Sequence, residues 1–290
     1  MRNRAERGLG PRLGAHVRSR RDGSTEHGQY GFRVAPPSRN PSPRRLARGS
    51  LEVTARCWPH STTTAHLIFS AGHQTEAVDL YPDTVAGWAS VLRGMGFTRA
   101  RTGAVGPSVA SCLVESGFVP VQELTLLSVN LPSGAPLTSR HHPAPQRVTR
   151  LSCARRRRFR EVLHVDEQAF GADWSLDAAT LREAMRATGR SSVWVNMDGQ
   201  GSVTGFVVVG ATGTTGYVQR LAVQPAHQGH GAGSALLDAA HRWLEQVGCR
   251  SAVVNTEPTN APALALYRRF GYVPLSYGLQ VLELDLAGAQ

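Results

Sequence analysis

The chain has 290 residues and a formal net charge of +11 at pH 7, and this length favours two domains, or one domain with long irregular arms. Apolar residues make up 41% of it, but no apolar run approaches the ~18 residues of a membrane span, and the Arg-rich start lacks the apolar stretch of a signal peptide. We therefore expect a soluble, cytoplasmic protein that does not bind membranes. Its four cysteines, Cys57, Cys112, Cys153 and Cys249, form no CxxC pair, which predicts reduced thiols, no disulfide framework and no metal site.

The positive charge is concentrated in two segments. Residues 1–60 hold 13 Arg and four acidic residues, residues 140–160 hold eight Arg and no acidic residue, and the remainder is net negative. No aromatic residue that could stack on a base interrupts the Arg run at 155–158. We therefore expect this run to be a solvated linker or a helix start, and a nucleic-acid partner is the weaker interpretation.

Four segments follow one another along the chain. Residues 1–50 are rich in Arg, Gly, Pro and Ser with almost no apolar periodicity, which predicts a disordered tail. Residues 51–131 alternate short apolar strands with two helices, the second of them opened by Pro107, and so predict a small α/β unit. A Pro-rich stretch at 132–147 is the natural linker to a second α/β unit at 148–290.

The second unit contains a strand, a Gly-rich turn and a helix in succession. The strand at 217–223 is stopped by Pro225, and an amphipathic helix is predicted at 234–248. The first turn of a helix has unpaired N–H groups that can hold a pyrophosphate, and Gly231 and Gly233 lack the Cβ atoms that would block its close approach. The order of the glycines fits neither a P-loop nor a dinucleotide-binding turn. Taken alone, the turn favours a tight connection between strand and helix that binds no ligand.

A second motif follows the next predicted strand, at residues 251–257. Asn260 is placed to cap a helix whose first turn tolerates Pro262 because the missing N–H has no partner there. Tyr267 lies about two turns after this cap, on the same helix face as Asn260.

The two segments together resemble the GNAT superfamily of acetyl-CoA-dependent N-acetyltransferases, over about residues 148–286. The residues that carry the resemblance are Gln228, Gly231 and Gly233, which match the family's [RQ]xxGx[GA] motif, and Asn260, Tyr267, Gly271 and Tyr272, which match its Asn to Tyr to Gly-aromatic pattern. The resemblance implies an α/β fold with a GNAT-like mixed, twisted sheet flanked by helices. It also implies acetyl-CoA as co-substrate and an amine, on a small molecule or a protein, as acceptor.

The resemblance assigns the cofactor site residue by residue. The strand at 217–223 would diverge from the next strand and open a cleft for the pantetheine arm. The residues implied to contact acetyl-CoA are Leu221, Ala222 and Val223 through their backbone, Gln228, Gly229, His230, Gly231, Ala232, Gly233 and Ser234 around the pyrophosphate, Asn260 at the pantetheine, and Tyr267 at the thioester sulfur.

Tyr267 is the predicted general acid. A thiolate leaving group with a parent pKa near ~8.5 can be protonated by a phenol with a pKa near ~10 that is held within hydrogen-bond reach. The alternative role of Tyr267 is that of a core tyrosine, which packs its helix onto the sheet.

The general base that removes the proton of the attacking ammonium is less well defined. Asn255 stands where related ribosomal-protein alanine N-acetyltransferases carry a glutamate. Glu257 is the predicted base, with a solvated loop carboxylate as its alternative role. The competing candidate for the general base is a water chain that ends on Asp166, Glu167 or Asp177. Two aromatic residues at the junction of the first two helices, Phe170 and Trp174, are expected in the core rather than in an acceptor pocket.

The first unit resembles a degenerate copy of the second. Gly117 and Phe118 align with Gly271 and Tyr272, and the strands that follow align as well. The chemistry is missing from this copy, because Leu113 stands where Tyr267 would be and Gly106 where Asn260 would be. Tandem members of the superfamily similarly pair an active unit with a weaker one, so we expect the first unit to contribute packing.

The sequence therefore predicts an N-acetyltransferase that transfers the acetyl group directly from acetyl-CoA to an amine, as a monomer or a homodimer. A non-catalytic acyl-CoA-binding sensor or scaffold is the main alternative, because no certain base is present. An Arg-tailed nucleic-acid binder is the third.

Overall fold

The computed structural model describes residues 43–47, 51–71, 80–131, 147–152 and 156–288. The chain divides into two compact units, Met1–Pro36 and Pro37–Gln290, and all described residues belong to the second. Most of the predicted tail and almost all of the predicted linker therefore lie outside the described residues.

The N-terminal half, up to residue 131, alternates strands and two helices as its sequence predicts. Its elements are β1 (Arg44–Ala47), β2 (Leu51–Cys57), β3 (Thr64–Ala71), α1 (Pro82–Gly94), β4 (Arg99–Thr102), α2 (Pro107–Glu115) and β5 (Val119–Asn130).

The C-terminal half, from residue 147, contains the strand, turn and helix on which the sequence motifs lie. Its elements are β6 (Arg147–Arg150), α3 (Arg156–Phe170), α4 (Ala178–Ala184), β7 (Arg190–Met197), β8 (Val203–Thr212), β9 (Thr215–Val223), a 3-10 turn (Pro225–His227), α5 (Ala232–Gln246), β10 (Ser251–Thr256), α6 (Ala261–Arg269), β11 (Val273–Pro274) and β12 (Leu279–Asp285). In the described part of the chain, no helix is both long and apolar enough to cross a bilayer.

Strand β1 lies inside the segment predicted to be disordered. It pairs antiparallel with β2, from Arg44 opposite Ala55 to Ala47 opposite Val53, and Leu46 packs against the core of the N-terminal half. The prediction for residues 1–50 is therefore wrong at this strand. A composition test misses it because the backbone partners of this strand come from β2 and not from its own sequence.

The described strands join in one mixed sheet, in the order β1-β2-β3-β4-β12-β5-β10-β9-β8-β7-β6, with β11 beside β5. The two halves exchange strands at its centre: β5 pairs antiparallel with β10, and β12 pairs antiparallel with β4. The predicted boundaries at 51–131 and 148–290 therefore divide the sequence but not the sheet. Sequence periodicity could not reveal this, because a strand's apolar pattern fixes which face is buried and not which strand lies beside it.

The internal repeat seen in the sequence has a structural counterpart at the ends of α2 and α6. Gly117 and Gly271 both have positive φ, 93° and 83°. The amide of Phe118 donates to the carbonyl of Leu113 over 3.0 Å, and the amide of Tyr272 donates to the carbonyl of Tyr267 over 3.1 Å. Both helices thus end in the same glycine-dependent cap.

Three groups of buried side chains form the core. Alternate residues of β8 face opposite sides of the sheet, so that Val207 and Val209 pack beneath α5 and α6 while Phe206 and Val208 pack beneath α3 and α4. The third group lies beneath α1 and α2 and includes Leu282 of β12. The helices that carry the two sequence motifs, α5 and α6, therefore share one face of the sheet.

Candidate active site

A cleft opens where β9 and β10 stop pairing. Their parallel ladder runs only from Thr215 opposite Ser251 to Val218 opposite Val254, although β9 continues to Val223. On its other side β9 stays paired with β8, with a bulge that leaves Gln219 without an opposite residue. The backbone of residues 221–223 therefore borders the cleft without a strand partner on that side.

The turn after β9 presents a helix N-terminus at the same end of the sheet. Gly229 and Gly231 have φ of 78° and 88°, and Gly231 caps α5 without a side-chain hydrogen bond. Positive φ is strained for residues with a Cβ, so both glycines are required for the backbone path itself. The first-turn amides of α5 and its positive dipole end are the groups that the sequence predicts to bind a pyrophosphate.

Three members of the predicted pyrophosphate turn have additional or different roles. The Nε2 of Gln228 donates to the carbonyl of Val223 over 3.0 Å, so its side chain closes the turn onto the end of β9. Ala232 is 3% exposed, which leaves only its backbone for a ligand. A Cβ on Gly233 would lie 3.3 Å from Cδ2 of Leu266. The missing Cβ of Gly233 therefore also allows α5 to pack closely on α6, and its contact with a pyrophosphate stays a prediction.

The remaining turn residues are accessible to a ligand to different degrees. Gln228, Gly229 and His230 are exposed, whereas Ser234 is half-buried. Their contacts with a pyrophosphate remain predictions.

Asn260 caps α6 as the sequence predicts. Its Oδ1 accepts a hydrogen bond from the amide of Ala263 over 3.2 Å, and its carbonyl accepts one from the amide of Leu264 over 3.0 Å. With Oδ1 engaged in the cap, the carboxamide nitrogen is the group of Asn260 that can donate to a ligand.

Tyr267 lies on α6, 5% exposed, with its ring centroid 5.6 Å from that of Tyr272. Among the described residues its hydroxyl has no hydrogen-bond partner, whereas the Tyr272 hydroxyl lies 2.8 Å from Nε2 of His241. Burial raises the pKa of Tyr267 to about 12, because a phenolate loses its hydration there. Tyr267 therefore keeps its proton at physiological pH and can act as a hydrogen-bond donor.

Glu257 follows the last residue of β10 and is exposed. Its Oε1 accepts a hydrogen bond of 2.5 Å from Nε2 of Gln122. Gln122 belongs to β5, which pairs with the edge of β10 opposite to β9. The carboxylate of Glu257 is thus directed towards the N-terminal half rather than straight into the cleft.

Two of the three competing carboxylates are already engaged. Asp166 is fully buried and bound to Arg220. Asp177 caps α4 and accepts from Thr180 N and Oγ1, each over 2.7 Å. Burial opposes ionisation of Asp177, but these hydrogen bonds and the charge of Arg56 outweigh it and lower its pKa. Glu167 is exposed, so it is the competitor that remains available.

The acetyltransferase (GNAT) family model matches residues 159–272, which include the cleft, the α5 turn, Asn260 and Tyr267. The family match therefore concerns residues 159–272 and not the whole chain. At the sequence level it is similar to a protein named mycothiol acetyltransferase from Saccharomonospora viridis, with 31% identity over 150 residues that make up 44% of each chain. A protein of the same name from Pseudarthrobacter chlorophenolicus is 31% identical over 158 residues, or 53% of this chain and 41% of that protein. The chain thus spans less than half the length of these curated relatives.

Solved GNAT structures show the same fold over most of the chain. A tandem GNAT protein from the clavulanic acid biosynthesis pathway has a TM-score of 0.58 at 15% identity, covering 84% of this chain and 81% of that one. A GCN5-related N-acetyltransferase from Kribbella flavida has a TM-score of 0.55 at 16% identity, covering 83% and 89%. At these identities the likeness concerns the fold alone.

Sequence reasoning missed one residue of β9, Arg220, whose side chain is engaged on the side of α3. It pairs with Asp166, and its guanidinium lies 3.5 Å from the ring centroid of Phe170. Phe170 packs against the core beneath α3 as expected, whereas Trp174 is half-buried and lies against Trp58 of the N-terminal half. A lone charge within an apolar strand was the available signal, because such a charge needs a buried partner.

A cavity of about 740 Å³ lies beside the end of β10. Both halves contribute to its wall, through α2, β5, Pro258 and the segment between β11 and β12. Its acidic residues, Glu115 and Glu123, both come from the N-terminal half and are exposed. Within the described ranges, no three His, Cys, Asp or Glu side chains are grouped so as to hold a metal ion.

Proposed function

We propose that this GNAT protein is an acyltransferase that moves an acetyl group from acetyl-CoA directly to an amine. The observation that carries the proposal is the coincidence of three features: the end of β9–β10 pairing after Val218, the Gly-capped N-terminus of α5, and the neutral phenol of Tyr267 on α6. The first exposes backbone for a pantetheine arm, the second suits a pyrophosphate, and the third can donate a hydrogen bond to a thioester sulfur.

In the proposed reaction the amine nitrogen attacks the acetyl carbonyl, so that a C–N bond forms and the C–S bond breaks. Tyr267 donates its hydrogen bond to the departing sulfur. A phenol with a pKa of about 12 is a weaker acid than a thiol in water, so full proton transfer requires that burial also raises the pKa of the leaving thiol. The hydrogen bond from Tyr267 therefore lowers the barrier first, and the proton is transferred as negative charge develops on the departing sulfur.

The base remains a proposal with two candidates. Glu257 can accept the proton of the ammonium if its carboxylate turns away from Gln122, and Glu167 can accept it through water. The carboxylates of Asp166 and Asp177 are already bound to other groups. If neither Glu257 nor Glu167 accepts the proton, the alternative function is that of a protein that binds acetyl-CoA without turnover.

The N-terminal half is proposed to be a degenerate GNAT copy that binds no acetyl-CoA. Leu113, at the position that corresponds to Tyr267, is fully buried in apolar core, and Gly106 caps α2 without a side chain. One acetyl-CoA per chain is therefore expected. Two equivalents by titration would contradict this.

The acceptor is proposed to enter through the cavity of about 740 Å³ beside β10, a volume in the range of small-molecule sites. The carboxylates of Glu115 and Glu123 in its wall attract a cationic amine. The curated relatives are named mycothiol acetyltransferases, so their acceptor substrate is one member of the panel of amines to test.

The free thiols of Cys57, Cys112 and Cys249 support the proposed cytoplasmic location, where thiols stay reduced.

The deciding experiment is incubation of the full chain with acetyl-CoA and a panel of amines, read by release of the CoA thiol. Amine-dependent release supports the transferase. Thermal stabilisation by acetyl-CoA without release on any amine supports the sensor, and neither response would exclude both.

A further inference from the structure

A second phenol lies beside Tyr267, and the reaction proposed above does not use it. Tyr272 is 2% exposed, and its ring centroid lies 5.6 Å from that of Tyr267. The amide of Tyr272 donates to the carbonyl of Tyr267 over 3.1 Å, so the cap at the end of α6 holds the two side chains next to each other. Burial raises the pKa of Tyr272 and the neighbouring Tyr267 raises it further, as expected for two hydroxyl groups that are close together.

The hydroxyl of Tyr272 has a partner on α5. Nε2 of His241 lies 2.8 Å from it, which is hydrogen-bond distance. His241 is 1% exposed, and its ring also meets that of Phe270 edge to face, with centroids 5.5 Å apart. The imidazole is thus fixed in the core between α5 and the end of α6, where its Nε2 is held in place for Tyr272.

Loss of this partner would leave the hydroxyl of Tyr272 buried and unsatisfied, which costs free energy until another partner is found. The hydroxyl of Tyr267 is available as that partner, because no hydrogen bond joins it to another residue in the described part of the chain. A hydrogen bond between the two phenols would occupy Tyr267, whose donor the proposed reaction directs to the thioester sulfur.

We infer that His241 is a positioning residue for the general acid: by binding the hydroxyl of Tyr272, it keeps the hydroxyl of Tyr267 free to donate to the sulfur of acetyl-CoA. This inference rests on the proposed acetyl transfer. His241 needs no contact with acetyl-CoA or with the amine, since it acts through Tyr272.

The N-terminal half has the same helix cap without either phenol. Leu113 and Phe118 stand at the positions of Tyr267 and Tyr272, and the amide of Phe118 donates to the carbonyl of Leu113 over 3.0 Å. Both side chains are buried. The cap and its packing therefore need neither hydroxyl, and a hydroxyl at position 272 adds a polar group that requires a buried partner.

The test removes the partner and the hydroxyl separately. His241→Phe keeps an aromatic ring beside Phe270 and removes Nε2, and His241→Met fills the same space with a flexible side chain. His241→Gln keeps an amide that can pair with the hydroxyl of Tyr272. The matched control is Trp243→Phe, a change in the core beneath the same helix. Each of these variants is also combined with Tyr272→Phe.

We expect His241→Phe and His241→Met to lower turnover by about tenfold, because Tyr267 is then bonded to Tyr272 for much of the time. Adding Tyr272→Phe should restore turnover to within about twofold of Tyr272→Phe alone, since no second hydroxyl is left. His241→Gln should keep turnover within about threefold of wild type. Acetyl-CoA should still stabilise all of these variants, and the turnover of Trp243→Phe should gain nothing from Tyr272→Phe.

A cycle of stability measurements tests the same arrangement without turnover. In the wild-type background, the effects of Tyr267→Phe and Tyr272→Phe on the unfolding equilibrium constant should multiply independently, because the two hydroxyls do not bind each other. In the His241→Phe background they should deviate from independence by about fivefold, since the two phenols are then bonded.

Wild-type turnover in folded His241→Phe and His241→Met would overturn the inference. A loss of turnover that Tyr272→Phe does not reverse would also overturn it, because His241 would then act directly or only through stability. Independent effects of the two tyrosine variants in the His241→Phe background would do the same. Absence of thiol release by the wild type with every amine would instead count against the proposed function, and the stability cycle would still decide whether His241 keeps the two phenols apart.

Discussion

Leu124 of β5 and Leu279 of β12 lie directly opposite each other in the sheet. They also occupy corresponding positions in the two halves of the sequence repeat. The pair therefore lies close to an approximate two-fold axis that relates the two halves. Beside this axis, β5 of the N-terminal half pairs with β10, and β12 of the C-terminal half pairs with β4. The pairing of Leu284 with Ala100 on one side is matched by that of Val129 with Ala252 on the other.

The contact between Gly233 and Leu266 leads to the first prediction. Gly233→Val should lower the melting temperature, by an overpacking cost of roughly 1–3 kcal/mol, yet retain stabilisation by acetyl-CoA. Gly231→Val should abolish that stabilisation, because φ is 88° there and a branched residue would distort the turn. Thermal shift with and without acetyl-CoA measures both.

The control for Gly233 is the double variant with Leu266→Val, which removes the Cδ2 that a new Cβ would meet at 3.3 Å. It should recover part of the lost melting temperature. If Gly233→Val folds as well as wild type but no longer responds to acetyl-CoA, the packing role is wrong and the phosphate role is right.

Tyr267→Phe should lower turnover by about 10²-fold while acetyl-CoA still stabilises the protein. The ring keeps its packing beside Tyr272, and only the donor is lost. Tyr272→Phe is the matched control, because it removes an equally buried hydroxyl bonded to His241 and should lower the melting temperature without the turnover defect. Wild-type turnover in Tyr267→Phe would show that Tyr267 is a core residue.

Burial of Tyr267 also predicts a loss of stability at high pH. Its folded pKa of about 12 exceeds the ~10 of an unfolded tyrosine. Its contribution is fully present below pH 10 and is lost as pH rises towards 12, by roughly 1.4 kcal/mol per pH unit. Burial raises the pKa of Tyr272 as well, so Tyr267→Phe should make the decline in unfolding free energy between about pH 10 and 12 shallower without removing it. An unaltered decline would show that Tyr267 is solvated.

The variants Glu257→Gln and Gln122→Ala test whether Glu257 is the general base and whether its hydrogen bond with the N-terminal half affects turnover. If Glu257 takes the proton, the variant should lose about 10²-fold in kcat with little change in acetyl-CoA binding. Gln122→Ala should free the carboxylate and alter kcat by a smaller factor, because it removes only the hydrogen bond that orients Glu257. Glu167→Gln is the comparison. A defect in Glu167→Gln alone would assign the base to α3.

The sequence predicted the parts of the site that depend on local backbone geometry. The Asn260 cap and the glycine-bearing start of α5 follow from helix ends, whose requirements are set within a few residues. The Asp166–Arg220 pair joins residues 54 positions apart, and no local pattern links them. Gly233 shows another limit, because close phosphate approach and close helix packing can both require a missing Cβ, and no local pattern places Leu266 beside it.

Strand β1 gives a prediction about the N-terminus. Removal of residues 1–42 should leave the melting temperature and turnover unchanged. Removal of residues 1–50 should lower the melting temperature, because β2 would lose one of its two strand partners and the core would lose Leu46. The variant Leu46→Ala in the full chain should reproduce part of that loss. Equal melting temperatures for the two truncations would show that β1 contributes nothing.

Because the two halves exchange strands, we expect that neither half folds alone and that the two halves form a complex when they are coexpressed. An isolated fragment of residues 147–290 lacks β5, so the edge of β10 would be exposed along its whole length and β12 would lose both of its partners. We expect this fragment to aggregate or to bind acetyl-CoA poorly. Coexpression of residues 43–131 with residues 147–290 should instead give a soluble complex that acetyl-CoA stabilises, because both exchanged strands are then present. Leu282→Asp, which places a charge in the buried core of the N-terminal half, should prevent the two fragments from copurifying. Independent folding of the 147–290 fragment with full acetyl-CoA stabilisation would contradict the exchanged arrangement.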